Sequence, residues 1–189
     1  MQYSIYTNDS LYDILFTDKK GAFPMSKNKM NKIIEKFVND ALSAVVDEHI
    51  SITSKFNEFS VDIDEYKICV PKWKKYNFNE KSLVDKQFEQ YFHSLSDYAK
   101  GFTLVTLSLL HEMGHIVTDD ELPLNYDRIA EYERIYSKAK SEEELNRLYF
   151  RMHDEKMATW WAVLWLSVKE NRNLAREFED EFYASLAHN

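Results

Sequence analysis

The stretch from Phe102 to Ile116 most restricts how this chain can fold, because it is an apolar run interrupted by three ionisable side chains. FTLVTLSLL at 102–110 is nearly all apolar, which predicts a helix covered on most sides, with Gly101 at its expected start. HEMGH follows directly at 111–115. A fold that buries this helix must also provide partners for its polar residues, because buried polar groups without partners are costly.

The spacing of the two histidines predicts where their side chains point. On a helix of about 3.6 residues per turn, His111 and His115 share one face, one turn apart, so their imidazoles can converge on a single ion. Glu112 is angled away from that ion, which suits a residue that accepts a proton from a metal-bound water. The alternative is that core hydrogen bonds satisfy all three side chains, or that the helix end after Ile116 is exposed.

Length and composition favour one helix-rich domain. The 189 residues are 44% hydrophobic and 15% aromatic, which suffices for a single core. Three Gly and three Pro leave little room for irregular loops. A net charge of −8 repels phosphate backbones and argues against a nucleic-acid binder. The basic and aromatic stretch PKWKKYNF at 71–78 is interpreted as a solvated loop or sheet edge.

Cysteine use and hydropathy predict a cytoplasmic protein without a membrane partner. The lone cysteine, Cys69, cannot form an internal disulfide and is interpreted as an inert core residue. No charged, apolar, small-residue leader opens the sequence. No apolar run approaches the ~20 residues that a bilayer-spanning helix needs.

Hydrophobic periodicity predicts the order of the secondary-structure elements. They are, in order, a helix at 28–50, a hairpin at 59–71 that Pro71 ends, an amphipathic helix at 80–98, the helix at 101–117, an acidic loop at 119–127, and helices from 127 onward with breaks near 140 and 171. The sequence SEEE at 141–144 resembles a helix cap. The prediction is a mostly helical α+β fold, in one domain over residues 1–189 with a peripheral N-terminal segment at 1–27.

A catalytic zinc ion usually takes three protein ligands and a water, so a third ligand is needed. One known arrangement places it six residues after the second histidine, with a glycine between them. Here those positions are Glu121 and Thr118, so this arrangement fails at both.

A later helix offers a better third ligand. Glu155, Ala158 and Ala162 recur on one helix face, and the two alanines would let the helices approach closely enough for a short carboxylate to reach the ion. Three bulky side chains are expected to fill the neighbouring space: Trp160, Trp161 and Trp165. The alternative is an ordinary buried helix with an acid in its first turn, where the helix dipole favours negative charge.

LLHEMGH at 109–115, followed by EKMATWWA at 155–162, resembles the ImmA/IrrE-like zinc metallopeptidases, a gluzincin-type family of bacteria, phages and other mobile elements. The resemblance extends from the hairpin to about residue 166. It implies a zincin-like fold with a short sheet before the HExxH helix. It also implies that His111, His115 and Glu155 bind Zn²⁺ and that Glu112 is the catalytic base.

The chain departs from the family pattern in three respects. The segment between the two motifs is long, with 39 residues at 116–154. Trp161 stands where phenylalanine is the commoner choice. Thr159 stands where a thermolysin-like enzyme has an aspartate that orients a ligand, so the resemblance leaves the orienting residues unassigned.

The resemblance implies an intracellular zinc-dependent endopeptidase that hydrolyses peptide bonds with a zinc-activated water. Its substrate would be a protein or peptide, for example a regulatory protein such as a repressor. The alternative is a non-catalytic module that keeps the metal site and sequesters a repressor or a host factor. The presence of Glu112 favours the enzyme. A structural zinc site is disfavoured because HExxH leaves one coordination position open.

Two further roles remain open among several candidates. A donor to the oxyanion of the tetrahedral intermediate is expected. The candidate donors are Tyr126, Tyr132, Tyr149 and His153. Carboxylates that orient the ligands are also expected, and the candidates are Asp119, Asp120 and Asp154.

Overall fold

The structure is a computed structural model that describes residues 27–55, 57–73 and 96–187. This part of the chain is mostly helical with a small sheet, which confirms the α+β class. The helices are α1 (Lys27–Leu42), α2 (Ser96–Ala99), α3 (Leu104–Thr118), α4 (Arg128–Tyr136), α5 (Glu142–Tyr149), α6 (His153–Ser167) and α7 (Lys169–Ala187), and the strands are β1 (Ser51–Thr53), β2 (Ser60–Asp62) and β3 (Lys67–Cys69). Apart from Lys27, the predicted peripheral segment lies outside the described residues, as does the predicted 80–98 helix before Ser96.

The sheet contains the predicted hairpin and one further strand. Strands β2 and β3 pair antiparallel with Val61 opposite Ile68, as the alternating pattern predicts. Strand β1 adds to the other side of β3 in parallel, with Ile52 opposite Ile68. Strand β1 was not predicted, because a strand of three residues is too short to show a period. Ile68 and Val70 are fully buried and turn this face of the sheet to the core.

Helix α1 ends eight residues earlier than its apolar pattern predicts, at Leu42 instead of residue 50. The Asn39 side chain donates to the carbonyl of Ile50 at 2.9 Å and accepts from its amide at 3.0 Å. These two bonds hold the returning chain beside the helix, so the turn must come before residue 50. Val45 continues the helical pattern but is 64% exposed.

The C-terminal helices confirm one predicted break and correct the other. Ser141 accepts from the amide of Glu144 at 3.1 Å, so SEEE is a helix cap and the break near 140 is real. The second break lies at Val168, which is extended, instead of near 171. A third break at 150–152 was not predicted. Phe150 and Met152 are buried there, so the apolar pattern continues although the chain leaves the helix.

Helix α3 runs through the centre of the described part of the chain. Thr103 is its N-cap, so the helix starts three residues after Gly101, and nearly every residue from Val105 to Thr118 is buried. Its closest neighbour is α6, while α1 and α7 pack together with Phe37 stacked on Phe178 at 4.4 Å. This burial confirms the prediction of a helix covered on most sides.

Two expectations about aromatic residues are wrong. Trp160 is 40% exposed, because it lies on the side of α6 that does not face the core. Of the three tryptophans of α6, only Trp161 and Trp165 pack against the core. Trp73 belongs to the stretch that was interpreted as a solvated loop or sheet edge, but it is buried and contacts Phe182 edge-on at 5.3 Å. Cys69 is buried, as predicted. Among the described residues, every helix falls short of the length and apolarity that a membrane crossing requires.

Candidate metal centre

The two histidines of α3 point into the protein and meet. His111 and His115 are 4% and 7% exposed, and their rings pack edge-on with centroids 4.8 Å apart. Their Nε2 atoms lie 3.2 Å from each other. This confirms that both imidazoles share one helix face. Ile116 and Thr118 are also buried, so an exposed helix end does not account for these polar residues.

Glu155 of α6 reaches the same point from the opposite side. Its Oε2 atom is 3.1 Å from Nε2 of His111, and its Oε1 atom is 3.7 Å from Nε2 of His115. One ligand atom from each of the three residues lies within 4.8 Å of the others, and all three residues are buried. The predicted convergence of Glu155 on the histidine pair is therefore confirmed.

Small residues at the helix crossing make this convergence possible. Ala158 and Ala162 of α6 are fully buried, as the small-residue face predicts. Opposite them, a Cβ atom on Gly114 would lie 2.4 Å from the carbonyl oxygen of Ala158. The crossing therefore requires glycine at 114, between the two histidines, because any side chain there would overlap backbone atoms of α6.

The pKa values of the three residues are shifted by burial and by one another. Burial raises the pKa of Glu155, but the hydrogen bond and charge of His111 outweigh burial and lower it to about 2. Burial lowers the pKa of His111, and the Glu155 carboxylate more than reverses this. Burial, together with the charge on His111, lowers the pKa of His115 to about 4, so His115 is neutral.

A cation between these groups can be a proton or a metal ion. Two imidazole nitrogens and one carboxylate form the donor set of zinc sites that keep a coordination position open. The grouping can thus hold a metal ion, and its chemistry fits zinc.

Glu112 lies beside the grouping without belonging to it. Its side chain is buried next to His111 on α3. Burial raises the pKa of Glu112 to about 7; the charge on His111 opposes this rise, and the carboxylates of Glu155 and Glu58 add to it. A carboxyl group with a pKa near neutrality is suited to accept and return a proton. This position agrees with the expectation that Glu112 is angled away from the ligands.

Thr159 is a site residue that the sequence analysis did not assign. Its Oγ1 atom lies 3.0 Å from Nδ1 of His111, and the residue is fully buried. The signal was its position one turn after Glu155 on the same helix face. A carboxylate was expected at that position, and the hydroxyl of Thr159 occupies it instead.

The three carboxylates that were candidates for orienting the ligands differ in burial and in contacts. Asp154, next to Glu155, is 1% exposed. Its Oδ1 atom accepts from the Tyr126 hydroxyl at 2.6 Å, and its Oδ2 atom pairs with Nε of Arg128. Asp119 is exposed and lies 3.8 Å from a second nitrogen of the same arginine, and Asp120 is exposed. Arg128 therefore connects the end of α3 to the start of α6.

Among the candidate donors, Tyr149 lies at the grouping. Its hydroxyl donates to Glu155, and burial, followed by the negative charge of Glu155, raises the pKa of Tyr149. Tyr126 is engaged with Asp154, Tyr132 is 40% exposed, and His153 is exposed on the first turn of α6.

Glu121 is exposed in the short 3₁₀ turn that follows α3. It is absent from the grouping of possible ligands in the described residues. The arrangement that would have used Glu121 as the third ligand is thus excluded by position as well as by residue type.

A cleft of about 530 Å³ opens between the sheet and the start of α4. Ser60 and Val61 of β2 line one side, and Arg128 lines the other. The lining does not include the three residues of the grouping. It includes Arg128, which pairs with Asp154, the residue before Glu155.

Comparisons with protein-family models, with curated proteins and with solved structures find no match to this chain. The resemblance to the ImmA/IrrE-like metallopeptidases therefore stays a prediction that rests on the residues of two motifs.

Proposed function

We propose that this chain is a zincin-like, zinc-dependent endopeptidase. The observation that carries the proposal is the convergence of His111, His115 and Glu155 from two crossing helices, with Glu112 buried beside them. The resemblance to the ImmA/IrrE-like family supports it on the same residues. A regulatory protein as the substrate is part of that resemblance and stays a prediction.

Each residue of the centre has a proposed role. The Nε2 atoms of both histidines and the carboxylate of Glu155 would hold the ion. When bound, zinc supplies Lewis acidity, which acidifies a water molecule and polarises a carbonyl group. Glu112 accepts the proton of the attacking water and passes it to the leaving amine, a role that its pKa of about 7 suits.

We propose that an extended peptide binds along a sheet edge next to the candidate metal centre. Strand β2 is at the end of the described sheet order, and it packs against α3. The backbone groups of such an edge can pair with an extended peptide, while pockets beside it select side chains. The cleft between β2 and Arg128 offers both acidic and basic groups for that selection.

A different feature favours the binding role. Three large apolar residues of α4 follow one helix face and are exposed: Ile129 at 73%, Tyr132 at 40% and Tyr136 at 64%. Exposed apolar faces of this kind often mark protein interaction sites. A module that captures a partner without cutting it would need this face and would not need Glu112.

The decisive experiment compares Glu112→Gln with the wild-type chain for zinc content and for cleavage of a mixed synthetic peptide library. Loss of a general base should reduce cleavage about 10²- to 10⁴-fold while zinc content stays the same. Glu121→Gln, which removes an exposed carboxylate just beyond α3, is the matched control and should change neither quantity.

Two results would count against the enzyme. Full cleavage by Glu112→Gln would remove Glu112 from the mechanism. A zinc-loaded wild-type chain that yields no new peptide ends, with or without a chelator, would favour the binding role.

A further inference from the structure

The two ring nitrogens of His111 face different surroundings. Nε2 is 3.1 Å from Oε2 of Glu155 and 3.2 Å from Nε2 of His115, so it faces the candidate metal centre. Nδ1 faces away from the centre and lies 3.0 Å from Oγ1 of Thr159. Both nitrogens are buried, so each needs a partner of suitable hydrogen-bonding character.

The tautomer of His111 decides whether it can bind a metal ion. A neutral imidazole carries its proton on one nitrogen and a lone pair on the other. For Nε2 to offer its lone pair to an ion, the proton must be on Nδ1. A buried Nδ1–H then requires an acceptor, and in this structure the contact at hydrogen-bonding distance is the hydroxyl oxygen of Thr159.

We propose that Thr159 is a positioning residue that holds His111 in its metal-binding tautomer and orientation. The inference rests on the proposed metal centre and extends it to a residue that the resemblance left unassigned. Thr159 acts through His111, and no contact places it on the ion.

One face of α6 supplies both groups. Glu155 and Thr159 are four residues apart, so their side chains lie one above the other. Glu155 meets the Nε2 side of His111 and Thr159 meets its Nδ1 side. A single helix therefore contacts both nitrogens of the His111 ring. The close helix crossing at Gly114, which brings Glu155 to the centre, also brings Thr159 to the ring.

A hydroxyl acceptor has a different chemical effect from a carboxylate. A carboxylate bonded to a ligand imidazole raises the basicity of the ligand. The neutral hydroxyl of Thr159 fixes the ring without adding negative charge. The ion should then be bound less tightly than with a carboxylate and should remain the stronger Lewis acid.

The test is the zinc affinity of Thr159→Val, measured by competition with a chromophoric chelator on the full chain. Valine keeps the branched shape and removes the acceptor. Loss of an orienting partner of a ligand typically weakens metal binding about 10- to 100-fold, and that is the expected result. Thr159→Ser, which keeps the hydroxyl, should bind zinc with an affinity close to that of the wild type.

Thr118→Val is the matched control. Thr118 is also buried, and its hydroxyl donates to the carbonyl of Gly114 at 2.9 Å, with no contact to either imidazole recorded among the described residues. Its removal should leave zinc affinity unchanged. Thermal unfolding of the metal-free variants tests for a general loss of structure, and Thr159→Ala carries the same comparison if the valine variant does not fold.

A second measurement reports on the ring itself. In the zinc-loaded wild-type chain, proton–nitrogen correlation spectra should show a slowly exchanging proton on Nδ1 of His111. That proton should exchange faster in Thr159→Val. Zinc binding by Thr159→Val as tight as by Thr118→Val would overturn the role of Thr159. A wild-type chain that binds no zinc would instead overturn the metal centre.

Discussion

Two buried glutamates contact α3 from opposite ends, and their surroundings differ. Glu179 of α7 is 6% exposed and Glu155 is 3% exposed, so burial does not distinguish them. Oε1 of Glu179 accepts from the Thr103 amide and from the Thr106 hydroxyl, each at 2.6 Å, and its Oε2 pairs with Arg176 at 2.8 Å. Glu155 faces two imidazole nitrogens that also face each other.

The difference lies in the kind of partner that each carboxylate has. The partners of Glu179 are an amide, a hydroxyl and a guanidinium group, which keep their protons at any physiological pH. Glu179 also lies at the N-terminus of α3, where the helix dipole favours a negative charge. The imidazoles around Glu155 can give up their protons, and a metal ion can take the place of a proton. Burial of an acid therefore does not by itself indicate a metal centre, and the chemistry of the partners distinguishes these two glutamates.

Replacing each glutamate should separate the two roles most strongly. Glu155→Ala removes the charged ligand, so zinc should no longer stabilise the protein. At a zinc concentration 1,000 times Kd, the wild type should gain about 4 kcal/mol in the free energy of unfolding. Glu179→Gln should keep that gain while the metal-free protein loses about 1–3 kcal/mol, because Arg176 and the α3 N-terminus lose a charged acceptor.

Chemical denaturation with and without zinc measures both quantities. An equal zinc-induced gain in Glu155→Ala and in the wild type would place the ion elsewhere. Loss of the zinc-induced gain in Glu179→Gln would show that the two ends of α3 are not independent.

Adding a methyl group at the helix crossing should have the next largest effect. The Cβ atom of Gly114→Ala would overlap backbone atoms of Ala158, which cannot rotate away. Such overpacking should cost as much as about 3 kcal/mol and should weaken zinc binding, because α6 carries Glu155.

Gly101→Ala tests the other end of α3. Gly101 has a φ of +82°, and a Cβ atom added there would lie 2.9 Å from a guanidinium nitrogen at the flexible end of Arg176. Its replacement should cost about 1–2 kcal/mol through backbone strain alone, with zinc affinity retained. Zinc affinity that survives Gly114→Ala unchanged would contradict the close crossing of α3 and α6.

Asp154→Asn should have a smaller effect than Glu155→Ala or Gly114→Ala. Asparagine keeps an acceptor for Tyr126 and loses the charge that pairs with Arg128. The side chain of Arg128 is 43% exposed and can be hydrated, so we expect a loss of about 1–2 kcal/mol in the free energy of unfolding. Thermal unfolding of the metal-free protein measures it.

Asp119→Asn is the control for the same arginine. Its contact with Arg128 is exposed and long, at 3.8 Å, and should contribute little. Equal losses in the two variants would show that burial of Asp154 does not strengthen its pair with Arg128.

The features that could be predicted from the sequence depend on residues near each other along the chain. The two histidines one turn apart, the apolar helix around them and the cap at Ser141 all follow from helical periodicity and local hydrogen bonding. Glu155 could also be predicted from the sequence, for a different reason. Its helix carries a face of small residues, which indicates close packing before the partner helix is known.

The features that the sequence analysis missed depend on contacts between distant segments. The end of α1 at Leu42 depends on Asn39 bonding to Ile50, and strand β1 depends on pairing with β3. Trp160 was expected inside because the pattern of α6 does not show which side the core covers. The burial of Trp73 depends on Phe182, more than a hundred residues later.

The candidate metal centre also combines features set by local spacing with features set by contacts between distant segments. Local spacing alone places both imidazoles on one side of a helix, because the backbone hydrogen bonds of a helix repeat every turn whatever surrounds it. The assignment of Thr159 to His111 and of Asp154 to Arg128 required the crossing of α3 and α6 and the return of the loop before α4. A hydroxyl or a carboxylate has many possible partners, and only the packing of distant segments selects one of them.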